Sequence, residues 1–479
     1  MQTTLILTNT KGKIVGLIDK SILKKIDMEL SYEINGYQFM VAATTGWDGR
    51  CRLLDKKLQF PIGLASRVKS ILDKESVDYK VVDNRIISKN EPLTTSKFYQ
   101  PRDYQKQTVD AAAESFGGIV QISVGGGKSV ICAQLVARLN MKTVVYVPGV
   151  ELLYSTKKVL ENAIPSEKIG IVGDGQCDIQ KITVCTIWTA ASSFDEKIKL
   201  YDNDTQEDKK AKKFSRKQEV KDMVQSAECI IIDEGHYATD LVLKFLHAQS
   251  VSAAKRYIFS ATPWREEGDE LLVEAICGPK LVEISSSWLI ERGYLVQPRI
   301  YFLKPPKNEK KYSTYQDAYS GYIVHNESRN KMIVKAAKKL IDAGRSVLIL
   351  FTRIDHGKNI GEILEEENLE YVNLDGSDSS ERRLEVMKSI DSGDVKLVLA
   401  SRIFDMGVDM PKLSALILAG SGKSKARTIQ RVGRVIRTGP KDKKDAVVVD
   451  FEDDCKWLDK HSKLRREVYK TEKMFDLKS

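Results

Sequence analysis

Residues 118–129 read GIVQISVGGGKS, a short apolar run followed by three glycines, a lysine and a serine. The run Gly118–Ile122 predicts a buried parallel strand, and the apolar segment Val130–Leu139 that comes next predicts a helix. Glycines between two such elements can take dihedral angles that turn backbone N–H groups inward around phosphate oxygens. In such a loop Lys128 would reach the β and γ phosphates, and the Ser129 hydroxyl could bind Mg²⁺.

This stretch lacks one position of the full phosphate-loop motif. The pattern G-x-x-x-x-G-K-[ST] would place glycine at position 122, where this chain has Ile122. The half of the motif that is present consists of Gly125, Gly126, Gly127, Lys128 and Ser129. Taken alone, these residues also fit a glycine-rich turn that binds no ligand.

A pair of acidic residues follows a second apolar run, Cys229–Ile232. A continuous apolar run is typical of a central parallel strand, and ligands bind at the carboxyl ends of such strands. We therefore expect Asp233 to hold Mg²⁺ and Glu234 to orient or deprotonate an attacking water. His236 could couple this site to neighbouring segments. The alternative is that Asp233 only caps the next helix.

Two arginines stand at helical spacing in a third string, Gln430–Arg437. Arg434 and Arg437 are suited to phosphate because a guanidinium stays charged and meets phosphate oxygens with a planar fork. Arginines on a separate domain would complete a nucleotide site only when the domains close. The alternative interpretation is a solvated basic helix face.

The three strings together resemble the motifs of superfamily 2 helicases of the DExH type, and the resemblance covers most of the chain after about residue 95. It implies ATP and Mg²⁺ as cofactors, with Ser129 and Asp233 at the metal. It also implies catalytic roles for one residue of the first string and for several residues of the other two. These residues are Lys128, Asp233, Glu234, His236, Gln430, Arg434 and Arg437.

Further motifs of that family match in order. Arg102 and Gln105 resemble the motif that recognises adenine, and Gly407 and Asp409 resemble residues near the nucleotide. Ser260 and Thr262 resemble the motif that links hydrolysis to movement. The remaining matches are Val147-Pro148 and Thr186–Trp188, which usually touch the nucleic-acid backbone, and Leu350–Arg353.

Composition and charge agree with a nucleic-acid partner and exclude several other classes. The 479 residues carry a net charge of +10, which favours polyanionic partners. No run approaches the roughly 18 apolar residues of a membrane span, and the N-terminus lacks the pattern of a signal peptide. The seven cysteines form no C-x-x-C pair, which argues against zinc and against a disulfide framework. We expect a cytoplasmic protein, in the host cytoplasm if a phage encodes it, with no membrane partner.

The alternation of apolar runs with helical segments predicts an α/β fold. The resemblance implies two tandem RecA-like parallel-sheet motor domains, and a small mixed α/β domain precedes them. The expected ranges are 1–90 for an accessory domain that binds DNA or junctions, 91–297 for the ATP-binding domain and 298–479 for the C-terminal domain. Strand candidates in the last range are Ser346–Phe351, Lys396–Ala400, Ala415–Leu418 and Ala446–Val449.

Ser192–Gln225 breaks this alternation because it is dense in Lys, Asp and Glu. Such a stretch buries little surface, so it predicts a surface insertion or a partly disordered segment. Its cluster of basic residues could contact DNA. A solvated helical hairpin is the alternative.

The N-terminal range resembles the domain that precedes the motor in phage UvsW-like branch-migration helicases. The resemblance rests on Gly46–Arg50 and Phe60–Leu64, and strand-like and helical runs occur at Thr4–Leu7, Tyr37–Ala42, Gly63–Leu72 and Tyr79–Val82. Trp47 could stack on a base, with Arg50 and Arg52 at phosphates. The interpretation that we favour for Trp47 is packing under a tight glycine turn.

These expectations describe an ATP-dependent DNA helicase that unwinds and branch-migrates forks and Holliday-type junctions in phage recombination, repair or replication. We expect a monomer that binds branched DNA, with other replication or recombination proteins as further partners. An RNA helicase or a duplex DNA translocase is one alternative. An ATP-switched clamp that binds junctions without moving is the other.

Overall fold

The computed structural model describes residues 2–34, 46–194, 206–235, 246–262, 270–306, 310–401, 412–420, 422–439 and 443–478. The chain divides into two compact units. The first unit comprises Met1–Ile122 and Gly127–Glu283, and the second comprises Ser123–Gly126 and Ile284–Ser479. The three domain ranges expected from sequence remain a proposal.

The N-terminal part of the first unit is a small sheet with helices on one face. Its elements are β1 (Thr3–Leu7), β2 (Lys11–Val15), α1 (Lys20–Glu29), β3 (Ser31–Glu33), β4 (Arg50–Arg52), β5 (Gln59–Pro61), α2 (Ala65–Lys74) and β6 (Tyr79–Asp83). The main sheet has the order β5-β2-β1-β6, and β3 pairs with β4. Alternate residues of β1 and β2 point to opposite faces, so Leu5 and Ile14 enter a core with α1 and α2. The predicted strand Tyr37–Ala42 lies outside the described residues.

A larger sheet forms the rest of the first unit. Its elements are α3 (Asp103–Glu114), β7 (Gly117–Ile122), α4 (Lys128–Leu139), β8 (Thr143–Val147), α5 (Val150–Ala163), β9 (Ile169–Gly173), β10 (Gln176–Asp178), β11 (Ile182–Thr186), α6 (Ile187–Ser193), α7 (Gln206–Ser226), β12 (Cys229–Asp233), β13 (Lys255–Ser260), α8 (Glu270–Cys277) and β14 (Lys280–Ile284). The strand order is β10-β9-β11-β8-β12-β13-β7-β14. Its central strands are parallel and buried along their length, as expected for a sheet with helices on both faces.

The second unit is built on another parallel sheet. Its elements are α9 (Ser286–Glu291), β15 (Gln297–Leu303), α10 (Tyr315–Ala318), α11 (Glu327–Asp342), β16 (Val347–Leu350), α12 (Ile354–Glu366), β17 (Val372–Leu374), α13 (Ser380–Ser392), β18 (Leu397–Ala400), β19 (Ala415–Leu418), α14 (Lys425–Val435), β20 (Asp445–Phe451), α15 (Leu458–Lys470) and β21 (Asp476–Lys478). The strand order is β17-β18-β16-β19-β20-β15-β21. The predicted α/β class with two parallel-sheet domains is therefore confirmed.

The structure differs from the prediction at the end of the charged stretch Ser192–Gln225. Its second half forms α7, and the end of that helix joins the core of the first unit. Val220, Met223 and Val224 are spaced three and four residues apart, so they share one helix face and are at most 4% exposed. Overall charge density hid this short apolar stripe. Residues 195–205 lie outside the described residues.

The helices of the described part of the chain include none with the length and hydropathy needed to cross a membrane.

A buried histidine makes the stability of the second unit depend on pH. His356 is 0% exposed, and its Nε2 lies 3.0 Å from Asn330 Oδ1. Burial lowers the pKa of His356 to about 3, and the nearby Arg329 and His325 add to this effect. The native state therefore keeps the ring neutral, whereas the unfolded chain binds a proton below its ordinary pKa of about 6.5.

We expect this difference to cost stability as the pH falls. Between pH 7 and pH 5 the wild-type protein should lose about 2 kcal/mol of unfolding free energy more than a His356→Gln variant. Urea unfolding of both proteins at the two pH values measures that difference. An equal loss in both proteins would show that His356 does not titrate on unfolding.

Candidate nucleotide site

The glycines of the predicted phosphate loop take the backbone conformations that the loop requires. β7 ends at Ile122, which is fully buried, so the chain has an apolar strand residue where the full motif has glycine. Gly125 and Gly127 have φ angles of +82° and +78°, in the left-handed region that favours glycine. The Gly126 N–H donates to the Ser123 carbonyl oxygen at 3.0 Å and closes the turn. α4 begins directly afterwards, and a helix N-terminus attracts anions.

Lys128 and the two predicted acidic residues lie together. Asp233 is the last residue of β12, and Glu234 follows it. Lys128 Nζ lies 3.0 Å from Glu234 Oε1, with both side chains largely buried. Lys128, Ser129 and Asp233 also line one small pocket. The structure thus brings together four residues of the predicted site from two separate sequence strings.

The backbone at Glu234 is unusual for a non-glycine residue. Its φ angle is +48°, and its N–H donates both to the Phe259 carbonyl oxygen at 2.8 Å and to Asp233 Oδ1 at 3.0 Å. Left-handed conformations are costly for residues with a Cβ and occur often at functional sites. The hydrogen bond to β13 holds the turn that points Glu234 towards Lys128.

Asp233 has a raised pKa. Burial is the main cause, the adjacent Glu234 carboxylate adds to it, and Lys128 opposes it. The carboxylates of Asp233 and Glu234 outnumber the single ammonium group of Lys128, so a further cation is favoured beside them.

The donor set fits Mg²⁺ better than a metal held by protein ligands alone. Among the described residues, no group of three or more His, Cys, Asp or Glu side chains could hold a metal ion. Asp233 and the Ser129 hydroxyl supply two oxygen ligands at most. Mg²⁺ is usually held by one or two carboxylates with water and substrate phosphates, so this sparse set suits a nucleotide-bound ion.

The predicted motif that contains Ser260 and Thr262 lies at the end of β13 and connects to Glu234 of the acidic pair. Ser260 Oγ, at the end of that strand, donates to Glu234 Oε2 at 3.3 Å. The Thr262 N–H donates to Ser260 Oγ at 3.2 Å. Thr262 Oγ1 is buried and has no hydrogen-bond partner among the described residues. Ser260 therefore links the Glu234 carboxylate to the segment that follows β13.

Gln105 lies against the phosphate loop. A Cβ built on Gly127 would come within 2.2 Å of Gln105 Nε2, so a larger residue there would displace the Gln105 amide. The Arg102 N–H donates to Gln105 Oε1 at 2.8 Å, and Gln105 is 4% exposed. Sequence reasoning missed Gln134 of α4, whose Nε2 donates to the Tyr99 carbonyl oxygen at 2.6 Å and holds the segment before Arg102. The sequence signal that could have identified Gln134 is its position as a polar residue within an apolar helix.

The predicted arginines lie in and just after α14. Gln430 and Arg434 are 3% and 7% exposed, which argues against the solvated basic face. Arg437 forms an antiparallel bridge with Leu295, beside a hydrogen bond from the Val296 N–H to the Ile436 carbonyl oxygen. His236, Gly407 and Asp409 lie outside the described residues.

The N-terminal residues singled out for DNA contact make internal contacts. The Trp47 indole donates to the Arg50 carbonyl oxygen at 3.1 Å, as expected for a ring packed on a turn. Arg50 donates to Ser31 Oγ, and Arg52 pairs with Asp27 and Asp48. Trp188, in the segment expected at the nucleic-acid backbone, is 48% exposed.

Three family models match successive parts of the chain. "DNA helicase UvsW, N-terminal" matches residues 13–83, "Type III restriction enzyme, res subunit" matches 98–265, and "Helicase conserved C-terminal domain" matches 331–439. The matches leave out β1 of the N-terminal sheet, β14 of the larger sheet of the first unit, and β15, β20 and β21 of the second unit.

Similar proteins include viral and phage helicases. "Putative helicase 22" of Sulfolobus islandicus filamentous virus is 25% identical over 74% of this chain, and the chain spans 66% of the length of that relative. "ATP-dependent DNA helicase uvsW" of Enterobacteria phage T4 is 26% identical, with 85% of this chain and 82% of that protein covered.

A solved structure supports the fold. "S. cerevisiae Dbp5 bound to RNA and ADP BeF3" matches with a TM-score of 0.54 and 14% identity, over 80% of this chain and 90% of that chain. Both larger sheets are therefore RecA-like. The successive matches show that the chain is similar to superfamily 2 helicases over most of its length, with a UvsW-type match in its N-terminal segment.

Proposed function

We propose that this protein is an ATP-dependent DNA helicase or translocase that remodels branched DNA, including forks and Holliday-type junctions. The observation that carries the proposal is the combination of a UvsW-type N-terminal match at residues 13–83 with the Lys128–Glu234 site. The first points to DNA as the substrate, since the 26% identical phage relative is named a DNA helicase. The second supplies the chemistry of nucleotide hydrolysis.

Lys128 and Glu234 have complementary tasks in this chemistry. Lys128 binds the β and γ phosphates, which places the scissile bond beside Glu234. Binding of an anion to Lys128 weakens its pairing with Glu234, and that carboxylate then accepts a proton from the attacking water. Ser129 and Asp233 would hold Mg²⁺, which neutralises charge on the phosphate oxygens when bound.

Gln105 and Ser260 support the two ends of the site. The Gln105 amide, which is buried next to Gly127, would select adenine, so ATP is the expected nucleotide. Ser260 transmits a change at Glu234 to Thr262 through its hydrogen bonds. Arg434 and Arg437 would contact the γ-phosphate, Gln430 and His236 would complete the catalytic set, and Gly407 and Asp409 would lie near the nucleotide.

An open face of the N-terminal sheet supports a DNA partner. Leu5 of β1 faces α1 and α2, so its neighbours Thr4 and Ile6 point to the opposite face of the sheet. Lys13 of β2 pairs in register with Ile6, and Lys80 of β6 pairs with Thr4, so both lysines lie on that opposite face. Both lysines are exposed, and phosphate contacts need such side chains. We further propose a monomer in the cytoplasm, which is the host cytoplasm if a phage encodes it, that works with other replication or recombination proteins.

The proposal is tested by ATP-dependent strand release from a four-way DNA junction, a fork, a blunt linear duplex and an RNA duplex. We expect strong release from the junction and the fork and little from the blunt duplex. Lys13→Glu/Lys80→Glu should weaken the preference for branched DNA because it reverses two charges on the open face. Lys24→Glu/Lys74→Glu is the matched control, since these lysines lie on α1 and α2.

Point variants suit this test better than removal of residues 1–90. Arg67 of α2 pairs with Glu274 of α8 at 2.7 Å, and Ala275 belongs to the N-terminal core cluster. Truncation would therefore expose apolar surface of the first unit.

The other outcomes favour the alternatives. Equal or greater release from RNA would favour an RNA helicase and discard the recombination role. Hydrolysis without release from any substrate would favour a duplex translocase or a clamp. Full biological activity of a Glu234→Gln protein would favour the clamp, since a clamp needs binding but no turnover.

A further inference from the structure

One face of β15 is left partly uncovered in the second unit. Ile300 and Phe302 are 0% and 8% exposed, and the Phe302 ring packs on Tyr469 of α15 at 5.9 Å between centroids. The alternate residues Arg299, Tyr301 and Leu303 point to the opposite face and are only partly buried. The second face therefore presents apolar surface to solvent.

α11 forms a wall beside this face. Ile333 and Ala337 enter the core of the second unit. A neighbouring stripe at spacings of three and four residues is directed towards β15, and it consists of Met332, Lys335, Ala336, Lys339 and Leu340. Helix and strand thus enclose a groove with Val447 and Val449 of β20 at its floor.

The groove combines an apolar floor with a positively charged rim. Its volume is about 500 Å³, within the roughly 300–1,000 Å³ of ligand-binding pockets. The basic residues at its rim are Arg299, Lys304, Lys335, Lys339 and Arg345. No acidic side chain is among the described residues that line it.

Two of the rim lysines are available to a ligand. Arg299 and Arg345 share Asp445, and Lys304 lies 3.6 Å from Glu452. Lys335 and Lys339 are exposed one helical turn apart, and neither forms an ion pair within the described part of the chain. Two such ammonium groups above an apolar floor match carboxylates that alternate with apolar side chains.

We propose that this groove binds an acidic peptide segment of a partner protein, with aliphatic or aromatic side chains on the floor and carboxylates at Lys335 and Lys339. Single-stranded nucleic acid fits less well, because its bases stack on several aromatic rings, and Tyr301 is the one aromatic residue among the described residues that line the groove. None of the lining residues belongs to the proposed nucleotide site. The inference therefore stands independently of the proposed function.

The test is fluorescence anisotropy of the full-length protein with a labelled peptide in which Asp alternates with Leu and Phe. Lys335→Glu/Lys339→Glu should weaken binding about tenfold or more, since two attractive charges become repulsive. Ala336→Trp should weaken it comparably by filling the groove without a change of charge. Lys331→Glu/Lys338→Glu is the matched control on the same helix, because neither residue lines the groove.

Each other outcome overturns the proposal. Absence of peptide binding to the wild-type protein at millimolar concentration would do so, as would equal affinities of all variants. A labelled oligothymidylate that binds in place of the peptide and responds to the groove variants would identify a nucleic-acid surface. Self-association that only the groove variants abolish would identify a second copy of the chain as the occupant. Unchanged ATP hydrolysis in all variants shows that they are folded.

Discussion

Replacement of Lys128 by alanine is expected to reduce ATP turnover by about 10²- to 10³-fold or more, because the charge that stabilises the transferred phosphoryl group is lost. The structure adds a second effect. Lys128 is the cation paired with Glu234, and Asp233 lies next to it. Its removal leaves two adjacent carboxylates facing an anionic nucleotide, so nucleotide affinity should fall together with the rate.

Steady-state hydrolysis and nucleotide titration separate these two effects. Lys128→Ala/Glu234→Gln should recover part of the lost affinity, because it removes the unpaired carboxylate, but it should recover none of the turnover. Lys168→Ala is a suitable control, since this exposed lysine of the same unit pairs with Asp178. Unchanged turnover in Lys128→Ala would show that the nucleotide site is assigned wrongly.

Arg434→Ala should reduce kcat by about 10³- to 10⁵-fold with nucleotide binding nearly intact, as expected for an arginine that contacts the γ-phosphate in the transition state. Arg434→Lys should recover little of the rate, since an ammonium lacks the planar fork of the guanidinium. The measurement is single-turnover hydrolysis at saturating ATP with DNA present.

Burial of Arg434 makes a control for folding necessary. Its side chain is 7% exposed, so a loss of stability could imitate a catalytic loss. Arg427→Ala changes an exposed arginine of the same helix and should keep its rate. A melting temperature of Arg434→Ala close to that of the wild type excludes unfolding as the cause. A stable Arg434→Ala protein with normal kcat would remove this arginine from the catalytic set.

Much of the α/β architecture was predictable because its signals are local. A buried parallel strand such as Cys229–Asp233 needs a continuous apolar run, and that run is visible in the sequence. Irregular or short elements were harder to predict. β21 is three residues long at Asp476–Lys478 and was missed, because so short a strand has no periodicity and depends on pairing with β15.

The charged stretch shows the limit of composition as a predictor. Lys, Asp and Glu dominate Ser192–Gln225, yet Val220, Met223 and Val224 anchor the end of α7 in a core. Three apolar residues on one face are enough to bury the end of a helix when a sheet offers apolar surface for them to pack against. The sheet that receives them is formed by strands distant in sequence, so the stretch by itself could not reveal this burial.

The sequence by itself determined which residues are candidates for the chemistry, because strand ends, glycine turns and charged side chains follow from local order along the chain. Tertiary structure alone decided how those residues act on one another. The Lys128–Glu234 pair, the left-handed turn at Glu234, the fit of Gln105 against Gly127 and the burial of Arg434 each depend on segments far apart in sequence. The groove beside α11 has the same origin, since its rim and floor come from strands and a helix that meet only when the second sheet has formed.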